Sequence, residues 1–140
     1  MGVAILATGK ALPELKVENQ RLTELVKTDN QWIIERTGIE SRNIATSETG
    51  LDLAVAAAKE ALGEMDKDSI GLVLVATVSP DMLVPSMGAL VKRAMGLKNA
   101  VAYDINAACS GFIYGLWNAE ALMKAHGIKR ALVIGVERLS

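Results

Sequence analysis

The run Ile70–Thr77, IGLVLVAT, constrains this chain more than any other feature. It is apolar throughout, rich in β-branched residues and without polar alternation, so a strand made from it must be covered on both faces. AVAYDI (100–105) and RALVIGV (130–136) read as further core strands, and VAILAT, Val3–Thr8, as a short buried strand closed by a turn at Gly9. Helical segments lie between the core runs. Thr49 and Asp52 have near-capping-box spacing, and Leu51, Val55, Ala58 and Leu62 follow one face behind them. Pro85 marks a second helix start, with Met87, Leu90, Val91 and Ala94 on one side and Gly96 after its end. A long helix runs from about Cys109 to His126 and stops at Gly127. Alternating strands and helices of this kind give βαβ units and a parallel sheet. Ahead of them, Asn19 is read as the cap of a helix reaching about Val26, and TDNQWIIERTG as a second helix ending at Gly38. IESRNIATSET is polar and mixed, a loop or hairpin.

With 140 residues and 51% apolar composition, the chain has room for one domain and a packed core. Fifteen basic residues against sixteen acidic leave a net charge of −1, with no run of like charge. Nothing in that balance points to nucleic acid or a basic membrane patch. The single cysteine can form no internal disulfide, and no Cys/His cluster has metal-ligand spacing, so no metal is expected. No stretch approaches the ~20 apolar residues that cross a bilayer, and the N-terminal apolar run is shorter than a signal core. These features suggest a soluble protein of a reducing compartment, with cytoplasmic location the expectation.

The helix from Cys109 is unusual. On a helical wheel Phe112, Ile113, Tyr114, Leu116 and Trp117 spread over roughly 200°, and Gly111 and Gly115 form a smooth strip in the remaining sector. A helix on the outside of one sheet needs only one apolar stripe. The pattern therefore favours a helix sandwiched between two layers, over the alternative that one sheet and a loop suffice. The sequence also stops just after a core strand with no element to cover it. Both features suggest an incomplete fold.

Cys109 stands where an extended run turns into a helix, in DINAACSGF. A helix N-terminus favours a thiolate, and its N–H groups can stabilise the oxyanion formed when a carbonyl is attacked. An isolated cysteine is more often a buried, inert residue, and position alone slightly favours that alternative. Trp32 and Arg36, four apart on a helix, can grip a flat aromatic base by stacking and cation–π contact; a core tryptophan beside a solvated arginine is the alternative.

DINAACSGF, together with WIIERTGIESRNIA and the opening ATGKALPE, resembles β-ketoacyl-acyl carrier protein synthase III of the thiolase superfamily. The pattern from Trp32 to Ile39 makes the resemblance more specific than a lone cysteine motif, and it argues against hydroxymethylglutaryl-CoA and chalcone-type synthases. It covers the whole chain but a little under half, the N-terminal half, of the family's usual length. The implied fold is α/β: a thiolase-like αβα layer, mainly parallel, with a buried nucleophile helix, one half of the αβαβα thiolase fold. Residues 1–140 would be the N-terminal half-domain, with the C-terminal half absent.

The resemblance also implies the chemistry. Cys109 matches the nucleophile that takes an acyl group from acetyl-CoA or another short acyl-CoA as a thioester. Malonyl-acyl carrier protein then decarboxylates and condenses with that thioester, initiating fatty acid synthesis. Trp32 and Arg36 match the grip on coenzyme A, and Thr28 a further contact. Val84 matches a position that reaches across a homodimer interface to close the acyl pocket, and Leu139 another pocket-lining position; both could also be ordinary core residues. No cofactor is bound permanently, coenzyme A thioester being a substrate. Expected partners are acyl-CoA, malonyl-acyl carrier protein, the C-terminal half and a second copy. The family's catalytic histidine and asparagine come from its C-terminal half. The sole histidine, His126, would lie about 25 Å along the helix from Cys109 at about 1.5 Å per residue, and reads as a surface capping residue. A non-catalytic acyl-CoA-binding fragment, or another thiolase-superfamily condensing enzyme, is the alternative reading.

Overall fold

The strand expected from IGLVLVAT is β3, Ile70–Ala76, and the computed structural model, which describes residues 2–139, buries it on both faces. Alternate side chains enter opposite layers. Val73 and Val75 pack with Ala54, Ala58, Leu62, Met87, Val91 and Met95, while Leu72 and Leu74 meet Ala119 and Leu122 on the other side. β3 pairs in parallel with β4 (Val101–Ile105) on one side and with β5 (Arg130–Gly135) on the other, in the order β4-β3-β5. Leu72 stands opposite both Val101 and Ala131.

The chain forms two compact units. The first holds the residues up to Ala11 together with Thr49–Leu139, and the second Leu12–Glu48. In the first, α3 (Gly50–Leu62) and α4 (Met87–Met95) lie on one face of the sheet and α5 (Gly111–His126) on the other, an αβα layer. The Thr49–Asp52 capping box is formed, and Asp81 adds to it by accepting from the Gly50 and Leu51 N–H groups at 2.9 and 2.8 Å. α4 starts later than the Pro85 signal suggests: Ser86 is the cap, its Oγ accepting from Ala89 N–H.

α5 meets the sheet through its small residues. Gly111, Gly115 and Ala119 are the buried ones, and a Cβ on Gly115 would lie 2.9 Å from Val133 Cγ1. The smooth strip is therefore the seam with the sheet. The opposite face carries Phe112, Ile113, Tyr114 and Trp117, between 44% and 70% exposed, so among the described residues α5 is covered on one side only. Tyr114 and Trp117 stack on each other there at 6.2 Å.

In the second unit β1 (Leu15–Glu18) pairs antiparallel with β2 (Ser41–Ile44), so IESRNIATSET supplies a single strand with a distant partner rather than the loop or hairpin expected of it. α2 (Asn30–Thr37) ends as expected at Gly38, which adopts the left-handed conformation (φ 70°) that a helix C-terminus requires.

Two expectations fail. Val3–Thr8 forms no strand: nothing among the described residues supplies a ladder to it, and Ile5 and Leu6 are exposed. An apolar run specifies burial, not a partner. The helix α1 spans only Asn19–Leu22, with Glu18 rather than Asn19 at its cap position. Thr23 shortens it, its hydroxyl donating back to the Gln20 carbonyl in competition with the helix.

Candidate active site

The three parallel strands end at one edge, and their exits carry three of the residues singled out from the sequence. β4 leads through Asn106 and Ala107 into a 3-10 turn, Ala108–Ser110, and then α5. Cys109 lies in that turn, just ahead of the helix rather than in it, exposed and free. The residue before it is bent to make this possible. Ala108 has φ 45°, a left-handed conformation that costs a residue with a Cβ roughly 1–2 kcal/mol. It is held there from both ends, by the β4 ladder to β3 and by Gly111, whose missing side chain lets it seat against Ala76. Ser110, at the cap position of α5, makes no side-chain cap bond, and the Gly111 N–H at the start of the helix donates to the Ala108 carbonyl of the turn.

Carboxylates organise this edge, and none of them was singled out from the sequence. Asp104, shortly before Cys109, accepts from Met87 N–H at 2.8 Å and Gly88 N–H at 2.6 Å, capping α4 with both oxygens. Glu137, just past β5, accepts from Val78 N–H at 2.8 Å and from the Ser79 hydroxyl, which in turn accepts from Arg138 N–H at 3.0 Å. With Asp81 on the start of α3, these bonds pin the connection from β3 to α4 at several points. Each carboxylate is occupied structurally, so none is a free base for the thiol. The local signal was weak: an acidic residue at or just past a strand end.

The pinned connection carries Val84, which is 86% exposed, beside Leu83 and Met82. Leu139 follows β5 and is 81% exposed. Neither is a core residue of this unit. Both leave the sheet at the edge that holds Cys109. His126 is exposed at the last position of α5, followed by the left-handed Gly127, the capping position expected of it.

Thr28, Trp32 and Arg36 belong to the second unit. Asp29 caps α2 by accepting from Trp32 N–H at 2.8 Å, and Thr28 precedes it, half-buried. Ile33 points inward at 5% exposure, while Trp32 is 54% exposed and Arg36 shares its outer face. A core role for Trp32 is thereby excluded in this unit. Glu48 accepts from Thr46, Glu14 and Ser47 N–H groups, and bonds to backbone amides, its own foremost, lower its carboxyl from the ordinary 4.5 to about 2.

Residues 103–140, which include the Cys109 turn, match the family model of 3-oxoacyl-[acyl-carrier-protein] synthase III. The chain is 44% identical over 140 residues to the β-ketoacyl-[acyl-carrier-protein] synthase III of Clostridium beijerinckii, covering 99% of this chain and 43% of that protein. With the corresponding synthase III 2 of Lactiplantibacillus plantarum the identity is 45%, over 98% of this chain and 42% of the relative. The crystal structure of 3-oxoacyl-[acyl-carrier-protein] synthase III from Aquifex aeolicus superposes with a TM-score of 0.93 at 41% identity, covering 99% of this chain and 46% of that one. A priming β-ketosynthase of the R1128 polyketide pathway superposes at 0.91 with 33% identity, over 96% of this chain and 41% of its own. The chain thus spans less than half the length of the relatives it matches. Across that span it has their thiolase-like α/β fold, and in sequence and fold it is similar to members of the 3-oxoacyl-[acyl-carrier-protein] synthase III family.

Proposed function

We propose that this chain supplies the nucleophile and the coenzyme A grip of an enzyme that transfers an acyl group from acetyl-CoA or another short acyl-CoA to Cys109, then condenses it with malonyl-acyl carrier protein. The observation that carries the reading is the exposed Cys109 on a bent strand-to-helix turn at the start of α5. The Cys109 thiolate attacks the thioester carbonyl, and the oxyanion that forms is stabilised by backbone N–H donors at the helix start. Coenzyme A leaves as its thiolate and takes a proton. Malonyl-acyl carrier protein next loses carbon dioxide, its carbanion attacks the Cys109 thioester, and the cysteine thiolate leaves with the β-ketoacyl product on the carrier. Trp32, Arg36 and Thr28 hold the coenzyme, while Val84 and Leu139 border the acyl chain, Val84 from a second copy.

Decarboxylation needs donors that these residues lack, since the sole histidine stands at the far end of α5. They belong to the C-terminal half of the whole enzyme, a cytoplasmic homodimer in this proposal. No helix among the described residues is long and apolar enough to cross a membrane. The position of His126 equally favours a second reading for the 140 residues by themselves, an acyl-CoA-binding fragment that accepts an acyl group without condensing it.

Peptide mass mapping after incubation with acetyl-CoA tests the proposal. The acyl adduct is expected on the Cys109 peptide and absent from Cys109→Ser. A stable thioester-forming activity that survives the substitution, or no adduct on the complete enzyme, sinks it.

A further inference from the structure

At eight residues α2 is well below the ~12–15 at which a helix sustains itself in water, so its ends must be held. Asn19 holds them. It is 1% exposed, and its side chain is saturated. Nδ2 donates to Asn30 Oδ1 at 3.1 Å, at the first residue of α2, and to the Ile39 carbonyl at 2.6 Å, just past the Gly38 cap. Oδ1 accepts from Arg42 Nη1 of β2 at 3.0 Å, and the Asn19 backbone N–H donates to the Glu40 carbonyl at 3.3 Å. A carboxamide suits this place because it offers two donor hydrogens and an acceptor together. Aspartate would set oxygen against the Asn30 and Ile39 oxygens, and an apolar residue would leave all three partners unpaired.

We propose that Asn19 is the positioning residue of the coenzyme A clamp: by tying both ends of α2 to the β1–β2 pair it fixes the direction in which Trp32 and Arg36 project. The inference rests on the reading that these two residues grip coenzyme A, and on the fact that they share the outer face of the helix that Asn19 brackets.

The test titrates coenzyme A into the complete enzyme and its Asn19→Ala, Trp32→Ala and doubly substituted variants, with amide exchange recorded over α2. Trp32→Ala should weaken binding about tenfold, within the cation–π range. Asn19→Ala should weaken it about fivefold and speed exchange across residues 30–37, yet cost clearly less when added to Trp32→Ala, where only Arg36 is left to position, the non-additivity of residues acting as a unit. Should Asn19→Ala fail to fold, Asn30→Ala removes one of the bonds and should cost about twofold. Wild-type affinity in the Asn19 or Asn30 variant beside a weakened Trp32→Ala overturns the positioning role, as do independent, additive losses. Wild-type affinity in Trp32→Ala overturns the coenzyme reading itself, and the inference with it.

Discussion

Replacing Asp104 with alanine would strip two N–H groups at the start of α4 of their acceptor. Met87 is 1% exposed, and Gly88 lies so close to β4 that a Cβ there would sit 2.9 Å from the Tyr103 carbonyl oxygen. The helix start therefore cannot swing outward to meet water. A buried donor left unpaired costs about 1–3 kcal/mol, and loss of the negative charge at a helix N-terminus about 0.3–1 more. For two donors at 2.8 and 2.6 Å these ranges sum to about 2–7 kcal/mol, and a loss of about 3–4 kcal/mol, in the lower half of that span, is expected. The Ser86 cap is untouched and does not compensate. Urea unfolding of the chain should then show a midpoint lowered by about 2 M, for a denaturant slope near 1.5–2 kcal/mol/M. Asp104→Asn, which keeps one acceptor, should lose about half as much. A midpoint shift worth less than about 1 kcal/mol would refute the capping account. If Asp104 were instead a base for Cys109, Asp104→Asn would abolish acylation and leave the midpoint alone.

Two further outcomes are expected. Val84→Phe in the complete enzyme should disfavour longer or branched acyl-CoA relative to acetyl-CoA in competition assays, because the added ring crowds the end of the acyl site; an unchanged ratio would remove Val84 from that site. The carboxyl of Glu48 lies near 2 in the folded chain against an ordinary 4.5, so the stability it contributes is complete above about pH 4.5 and disappears as pH falls toward 2. Unfolding midpoints of Glu48→Gln should accordingly change less than those of wild type across that acid window, and parallel curves would exclude a role for the Glu48 bonds.

Much of the first unit was legible because its strongest patterns are local. β3 is apolar at successive positions because both faces are covered, and the Thr49–Asp52 cap declares itself within four residues. The Cys109 junction could be read for the same reason, a strand pattern ending where a helix pattern begins. Its left-handed Ala108 could not, since alanine carries no mark of that conformation. Val3–Thr8 misled because composition records a wish for burial and is silent about pairing. Asn19 was misjudged in a different way: a side chain taken for a local cap serves partners from Asn30 to Arg42. Asp81, Asp104 and Glu137 escaped notice because their partners lie too far off in sequence to leave a periodic trace.

Those three carboxylates also impose an order on assembly. Each lies downstream of the amides it binds, at separations of 31, 17 and 59 residues for Asp81 with Gly50, Asp104 with Met87 and Glu137 with Val78. In a chain emerging N-terminus first, the added acceptor at the start of α3 waits for Asp81 and that at the start of α4 for Asp104, although each helix already has its local cap. The Val78–Ser79 bend waits longest, until β5 is complete and Glu137 has followed it. Closing the longest of these loops rather than the shortest costs only about 1 kcal/mol more in chain entropy, so the delay is set by synthesis and not by free energy. These carboxylate bonds are thus completed only after the sheet beneath them has been laid down, and a nascent chain passes through a stage in which Cys109 has been made but the Glu137 bonds have not yet formed.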